Sequence, residues 1–192
     1  MIDEAAARAE LAELRARLSV LEARLRTSAD GDIMPEGAFD LLLCHVGAQS
    51  FSLALQTVEE VLPMAQLSTL PEAPDWVAGL LNLGGELIAV LDVGARLQRR
   101  GRRAEPSDRI VVCAHGARRM GLLVESVSVI ATAGAGAVQE VDPDLPYASY
   151  VLGALEVAGL PTFLLGVGRL IAGSGLPETQ PLVAHVEEGG SG

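Results

Sequence analysis

The residue types that usually carry chemistry are few in this 192-residue chain, and their spacing does not assemble a reaction centre. His45, His115 and His185 are scattered, and neither His45 nor His115 stands at metal-ligand spacing from a second ligand. The two cysteines, Cys44 and Cys113, lie too far apart for a metal knuckle and are too few for a disulfide framework. Asp92, in Leu-Asp-Val-Gly, superficially matches an aspartic-protease strand, but that chemistry needs a second carboxylate at an equivalent place to share a proton. Gly134-Ala135-Gly136 lacks the Lys, Ser or Thr, or the third Gly, of a loop that cradles phosphate. No catalytic residue, metal ligand or cofactor is expected.

The charges point elsewhere. Formal net charge is -11 and aromatic residues make up 3%, whereas a nucleic-acid binder needs cations for phosphates and aromatic faces for bases. The same balance weighs against a small barrel built to hold an oligosaccharide. One basic cluster stands out: Arg96, Arg99, Arg100, Arg102 and Arg103. It is either a solvated loop or, through Arg99, Arg100, Arg102 and Arg103, a docking patch for an acidic partner surface. Membrane insertion is not expected, because the apolar stretch from Val151 to Leu176 is interrupted by Glu156, Pro161 and Arg169. The N-terminus is charged within four residues and no apolar run follows, so a cytoplasmic protein is expected.

The elements that would position a binding surface begin with residues 3–28, which read as one long helix. Leu11, Leu14, Leu18, Leu21 and Leu25 fall at alternating spacings of three and four, with Ala7 extending the series backwards. That is a heptad seam, with Leu11, Leu18 and Leu25 at a and Leu14 and Leu21 at d. In a parallel pair, Glu10 would face Arg15 of the partner and Arg17 would face Glu22, both attractive. Residues 7–28 are therefore expected to associate with themselves or with a partner helix. The other possibility is an amphipathic helix lying on its own domain. Residues 29–38 read as a linker and residues 173–192 as a disordered tail.

The rest of the chain is written twice. Shifted by 69 residues, Leu41–Leu62 lies on Ile110–Ala131 without a gap, placing Cys44 on Cys113, Gly47 on Gly116 and Val58 on Val127. Shifted by 74, Gly79–Gly94 lies on Gly153–Gly168, and Gly79, Leu81, Gly85, Leu91, Val93 and Gly94 all meet identical residues. Strands are expected at Phe39–Val46, Ser50–Leu55, Glu86–Leu91, Arg109–Ala114, Arg119–Val124 and Thr162–Leu165. Short helices are expected at Leu55–Val61, Trp76–Leu80, Val93–Arg99 and Gly168–Ala172. Each repeat, about 41–97 and about 110–171, is too small to leave sheet edges open and is expected to curl into its own barrel. The matched cysteines then read as buried packing residues, and Asp92 has no carboxylate partner, because its counterpart is Gly166.

Residues 39–172 also carry a resemblance. The run FDLLLCHVGAQSFSLALQTVEEV, followed by LPEAPDWVAGLLNLGGELIAVLDV, resembles the CheW adaptor family of bacterial chemotaxis. The resemblance implies a mainly β fold of two tandem SH3-like five-stranded barrels with a groove between them. It implies a non-catalytic scaffold that couples methyl-accepting chemotaxis receptors to the regulatory domain of a CheA-type histidine kinase. The partner-facing set it implies is Val58, Glu60, Val61, Gly79, Leu80, Asn82 and Gly84. On helical spacing Val58 and Val61 would share a face, and Trp76 reads as a core anchor. Gly84 departs from the family pattern, which has Arg there, as Ala89 departs from its Pro and Gly166 from its Asp or Asn. The departure at Gly84 leaves a second reading: a divergent scaffold that has lost kinase coupling and recruits another pathway-specific partner.

Overall fold

The computed structural model describes residues 32, 34, 36–98 and 102–174. The expected N-terminal helix, its leucine seam, Arg99, Arg100 and the chain beyond residue 174 lie outside the described residues. Among the described residues ten strands run β1 Ala38–Val46, β2 Gln49–Ala54, β3 Val58–Pro63, β4 Val77–Leu83, β5 Glu86–Asp92, β6 Arg109–His115, β7 Arg118–Val124, β8 Ser126–Gly134, β9 Val151–Val157 and β10 Leu160–Leu165. Helix α1, Val93–Gln98, follows β5, and helix α2, Val167–Ala172, follows β10.

The mainly β fold and the duplication are as expected, but each repeat does not close on itself. The two five-stranded sheets have the orders β8-β1-β2-β10-β9 and β3-β6-β7-β5-β4. The first two strands of one repeat thus share a barrel with the last three of the other. Exchanging the repeats maps one sheet onto the other, down to the residue pairs: Cys44 stands opposite Val127, and Cys113 opposite Val58. The exchange is made after the second strand of each repeat. A 3-10 turn, Leu55–Thr57, held by Thr57 Oγ1 donating to the Ala54 carbonyl at 2.7 Å, carries the chain across after β2. Glu125 alone separates β7 from β8, and its amide donates to the His45 carbonyl of the other repeat.

Alternation along the strands builds three cores. Leu41 and Leu43 of β1 point into the first barrel with Phe39, Leu155, Val157 and Leu164. Ile110 and Val112 of β6 point into the second with Leu81, Ile88, Val90 and Leu123. The residues between them, Leu42, Cys44 and Val46 on β1 and Val111 and Cys113 on β6, enter the largest core, which joins the barrels. Strands buried on both faces read as unbroken apolar runs, as LLLC and IVVC do. Each aliphatic side chain fully removed from water contributes about 1.5–3 kcal/mol. The space between the barrels is therefore packed, not an open groove, at the level of β1 and β6.

Strands β3, β4, β8 and β9 are the sheet edges, and loops cover two of them. Ser68 and Leu80 exchange backbone hydrogen bonds of 2.9 and 2.8 Å along β4, and Gln139 and Ala154 exchange bonds of 2.7 and 2.8 Å along β9. This covering leaves no room for a side chain. A Cβ at Gly79 or at its counterpart Gly153 would lie 2.7 Å from the Ser68 or Gln139 carbonyl oxygen. Asp92 caps α1 by accepting the Ala95 amide at 3.0 Å, the usual arrangement at a helix N-terminus.

Candidate partner-binding surface

The residues singled out by resemblance fall on β3, β4 and the turn after β4, along the two edges of the second barrel. The stretch expected as a helix at Leu55–Val61 is the 3-10 turn followed by β3, and Trp76–Leu80 is the entry to β4. Val58 and Val61 do share a face, though not through helical spacing. The register of β3 on β6 slips between Val58 and Glu60, so Val58 stands opposite Cys113 and Val61 opposite Val111. Both partners belong to the core between the barrels, and directly opposed residues project to the same side of a sheet. Val58 is partly buried against that core, whereas Val61 is 41% exposed. Glu60, opposite Val112, is partly buried and makes no ion pair among the described residues.

Gly79 is buried beneath Ser68, and the partly buried Leu80 spends its backbone groups on Ser68. Asn82 holds the turn, its Oδ1 accepting the Gly85 amide at 2.9 Å. Gly84 and Gly85 have φ of +61° and +94° between the paired residues Leu83 and Glu86. Two positive φ values in a two-residue hairpin define a type I′ turn, which glycine adopts without strain. A Cβ at Gly84 would meet nothing within 4 Å. Space therefore does not exclude a side chain at this tip.

Residues that spacing did not single out organise the mouth of the second barrel. Arg119 on β7 donates from Nε to Glu59 on β3 at 2.7 Å and from Nη1 to Glu86 on β5 at 2.6 Å. The two carboxylates push its guanidinium further up. At the equivalent mouth of the first barrel, Ser50 and Ser128 occupy the repeat positions of Arg119 and Glu59. There His45 bridges them, Nδ1 to Ser50 Oγ at 3.1 Å and Nε2 to Ser128 Oγ at 3.0 Å. One mouth is held by ion pairs and the other by serine–histidine hydrogen bonds. The signal for this was the 69-residue offset, read for charge differences as well as identities.

The basic cluster is partly consumed within the fold. Arg102 pairs with Asp108 at 2.7 Å, where the carboxylate is 2% exposed, and with Glu125 at 3.1 Å. Its hydrogen bond to buried Asp108 holds the loop before β6, while its side chain stays 33% exposed. Arg103 is exposed. Arg96 stacks between Trp76 and Tyr150, 4.2 and 4.6 Å from the ring centroids. Those two aromatics are equivalent under the 74-residue offset, so one cation is sandwiched between matching rings of the two repeats. Trp76, partly buried against the central core, is thus a packing residue that also seats Arg96.

The thiols take no part in this surface. Burial pushes Cys44 up to about 12 and raises Cys113 further, the nearby Cys44 thiol and Glu59 adding to the rise. Among the described residues no helix is long and apolar enough to cross a membrane, and no group of three or more His, Cys, Asp or Glu side chains is placed to hold a metal ion.

Comparison with known proteins agrees with this architecture. The family described as the CheW-like domain matches residues 40–174. A chemotaxis protein CheW of Rhizobium meliloti is 32% identical over 131 residues, covering 66% of this chain and 83% of that protein. A probable chemotaxis protein CheW of Rhizobium etli is 31% identical over 99 residues, 50% of this chain and 63% of the relative. In three dimensions the chain is similar to the scaffolding protein TtCheW of Thermoanaerobacter tengcongensis. That likeness has a TM-score of 0.63 at 19% identity, covering 69% of this chain and 86% of the other. The chain belongs to the CheW-like domain family.

Proposed function

We propose that this protein is a non-catalytic chemotaxis scaffold that couples methyl-accepting receptors to the regulatory domain of a CheA-type histidine kinase. The observation that carries the reading is the family match over residues 40–174, in a chain whose β3 and β4 edges present exposed groups while their cores are closed. Its mechanism is geometric: a rigid pair of barrels holds two partners in fixed relation, and no bond is made or broken. Contacts run along Val58, Glu60, Val61, Leu80 and Asn82. Gly79 supports them by letting the covering loop approach. Solvent-exposed Val61 is an apolar anchor of the kind that partner helices cover. Arg103, together with Arg99 and Arg100, offers an acidic partner a secondary contact.

The glycine tip at Gly84 favours one alternative: a scaffold of the same fold that has lost kinase coupling and recruits another pathway-specific protein. Reconstitution of receptor-containing membranes with a CheA-type kinase separates the two. The leading reading expects the wild-type chain to stimulate autophosphorylation and Val61→Arg to lose most of that stimulation while still folding. If the wild type is inert and Gly84→Arg stimulates, the alternative holds, and the missing arginine is the reason.

A further inference from the structure

The second repeat lacks the residue that completes the first. Asp92 caps α1, but its counterpart before α2 is Gly166, which has no side chain to offer. The amides at the start of α2 are nonetheless satisfied. Asp32, from the stretch ahead of β1, accepts the Gly168 amide with Oδ1 and the Arg169 amide with Oδ2, both at 2.7 Å. These are the second and third helical positions, the ones an N-cap side chain normally serves.

Asp32 is 5% exposed although it stands in a stretch expected to be a plain linker. Two more contacts tie that stretch down: Met34 packs against the interior of the first barrel, and the Gly37 carbonyl accepts the Ala135 amide at 2.7 Å. His115, at the end of β6, stands 3.8 Å from Asp32 Oδ1. The backbone at Gly166 does not require glycine. Its φ of -85° and ψ of 105° are extended, as an N-cap residue usually is. What excludes a side chain there is Asp32 itself, whose Oδ2 would collide with a Cβ at Gly166.

We propose that Asp32, with Met34 and Gly37 anchored behind it, is a latch, the Asp32 carboxylate seated where the side chain of residue 166 would otherwise lie. Helix α2 is then completed by a group 134 residues away in sequence (Asp32 to Gly166), and lifting the latch uncaps it. The substitution Gly166→Asp and the docked latch exclude each other.

Amide-resolved hydrogen exchange on the full chain tests this, with the wild type, Asp32→Ala, Gly166→Asp and the double variant. Asp32→Ala is expected to speed exchange at Gly168 and Arg169 roughly tenfold, the scale of a lost cap. The double variant restores slow exchange there, because the carboxylate introduced by Gly166→Asp caps in place, while the Ala135 amide stays fast because the latch is undocked. Gly166→Asp alone keeps the helix capped and frees Ala135. Unchanged exchange at Gly168 and Arg169 in Asp32→Ala, or no recovery in the double variant, overturns the latch. Should Asp32→Ala fail to fold, the wild type decides: unprotected amides at 168 and 169 refute the cap, and rescue of folding by Gly166→Asp supports it.

Discussion

At the residue scale, Asp92 shows how one side chain carries opposed energies. Burial pushes its carboxyl above the ordinary aspartate range, while the amides of Ala95 and Gly94 and the charge of Arg102 pull it back. Because the folded pKa is raised, the folded state binds the extra proton. Its contribution is therefore full below the unfolded pKa, about 4, and is lost as pH rises through the folded value. Asp92→Asn keeps the Oδ1 acceptor and removes the charge. Urea unfolding should find it as stable as the wild type in acid and relatively more stable towards neutral pH, whereas Asp92→Ala loses the cap and about 1 kcal/mol. Gly79 makes a second case. Its φ of +145° and the 2.7 Å approach to Ser68 leave no place for a methyl group. Gly79→Ala should cost about 1–3 kcal/mol by strain and a displaced edge bond, read as a fall in urea midpoint with an unchanged slope.

At the scale of elements, what could be read in the sequence follows burial. The strands expected at Phe39–Val46, Ser50–Leu55, Glu86–Leu91, Arg109–Ala114, Arg119–Val124 and Thr162–Leu165 all form, and each lies away from a sheet edge. The missed strands are β3, β4, β8 and β9, the four edges. Edge residues alternate with solvent: β3 has partly buried and exposed positions in strict succession, and its Val-Glu-Glu-Val spacing imitates a helical turn until the bulge is seen. The exchange of strands between repeats was not legible, because an offset gives equivalence and says nothing of which copy pairs with which. The candidate site shares that limit: Gly79, Asn82 and Gly84 were marked, but Glu59, Glu86 and Arg119 converge only once β3, β5 and β7 lie in one sheet. That ionic mouth is partly solvated, with side-chain exposures of 27% for Arg119, 38% for Glu59 and 33% for Glu86. Arg119→Met should therefore cost no more than about 1 kcal/mol, a loss that shrinks in high salt. A cost of several kcal/mol would mean the arginine plugs the barrel in a way its exposure denies.

For the whole molecule, the two barrels form one body through the central core, and the prediction for assembly rests on the leucine repeat that the sequence places in residues 3–28. Their leucine seam is narrower than the stripe a helix needs to lie on its own domain, which argues for a second helix as its cover. If that helix is a copy of itself, light scattering should report a dimer for the full chain and a monomer for residues 30–192, a truncation that keeps Asp32 and so leaves α2 capped. The pairing of Glu10 with Arg15 and of Arg17 with Glu22 makes the orientation testable as well. Arg17→Glu would set like charges against each other twice in a parallel dimer and weaken it several-fold. Adding Glu22→Arg should restore the association, since the attraction returns with its sign exchanged. A full chain that stays monomeric at high concentration would assign the seam to a foreign helix, and the barrels would then be joined to a partner, not to a second copy.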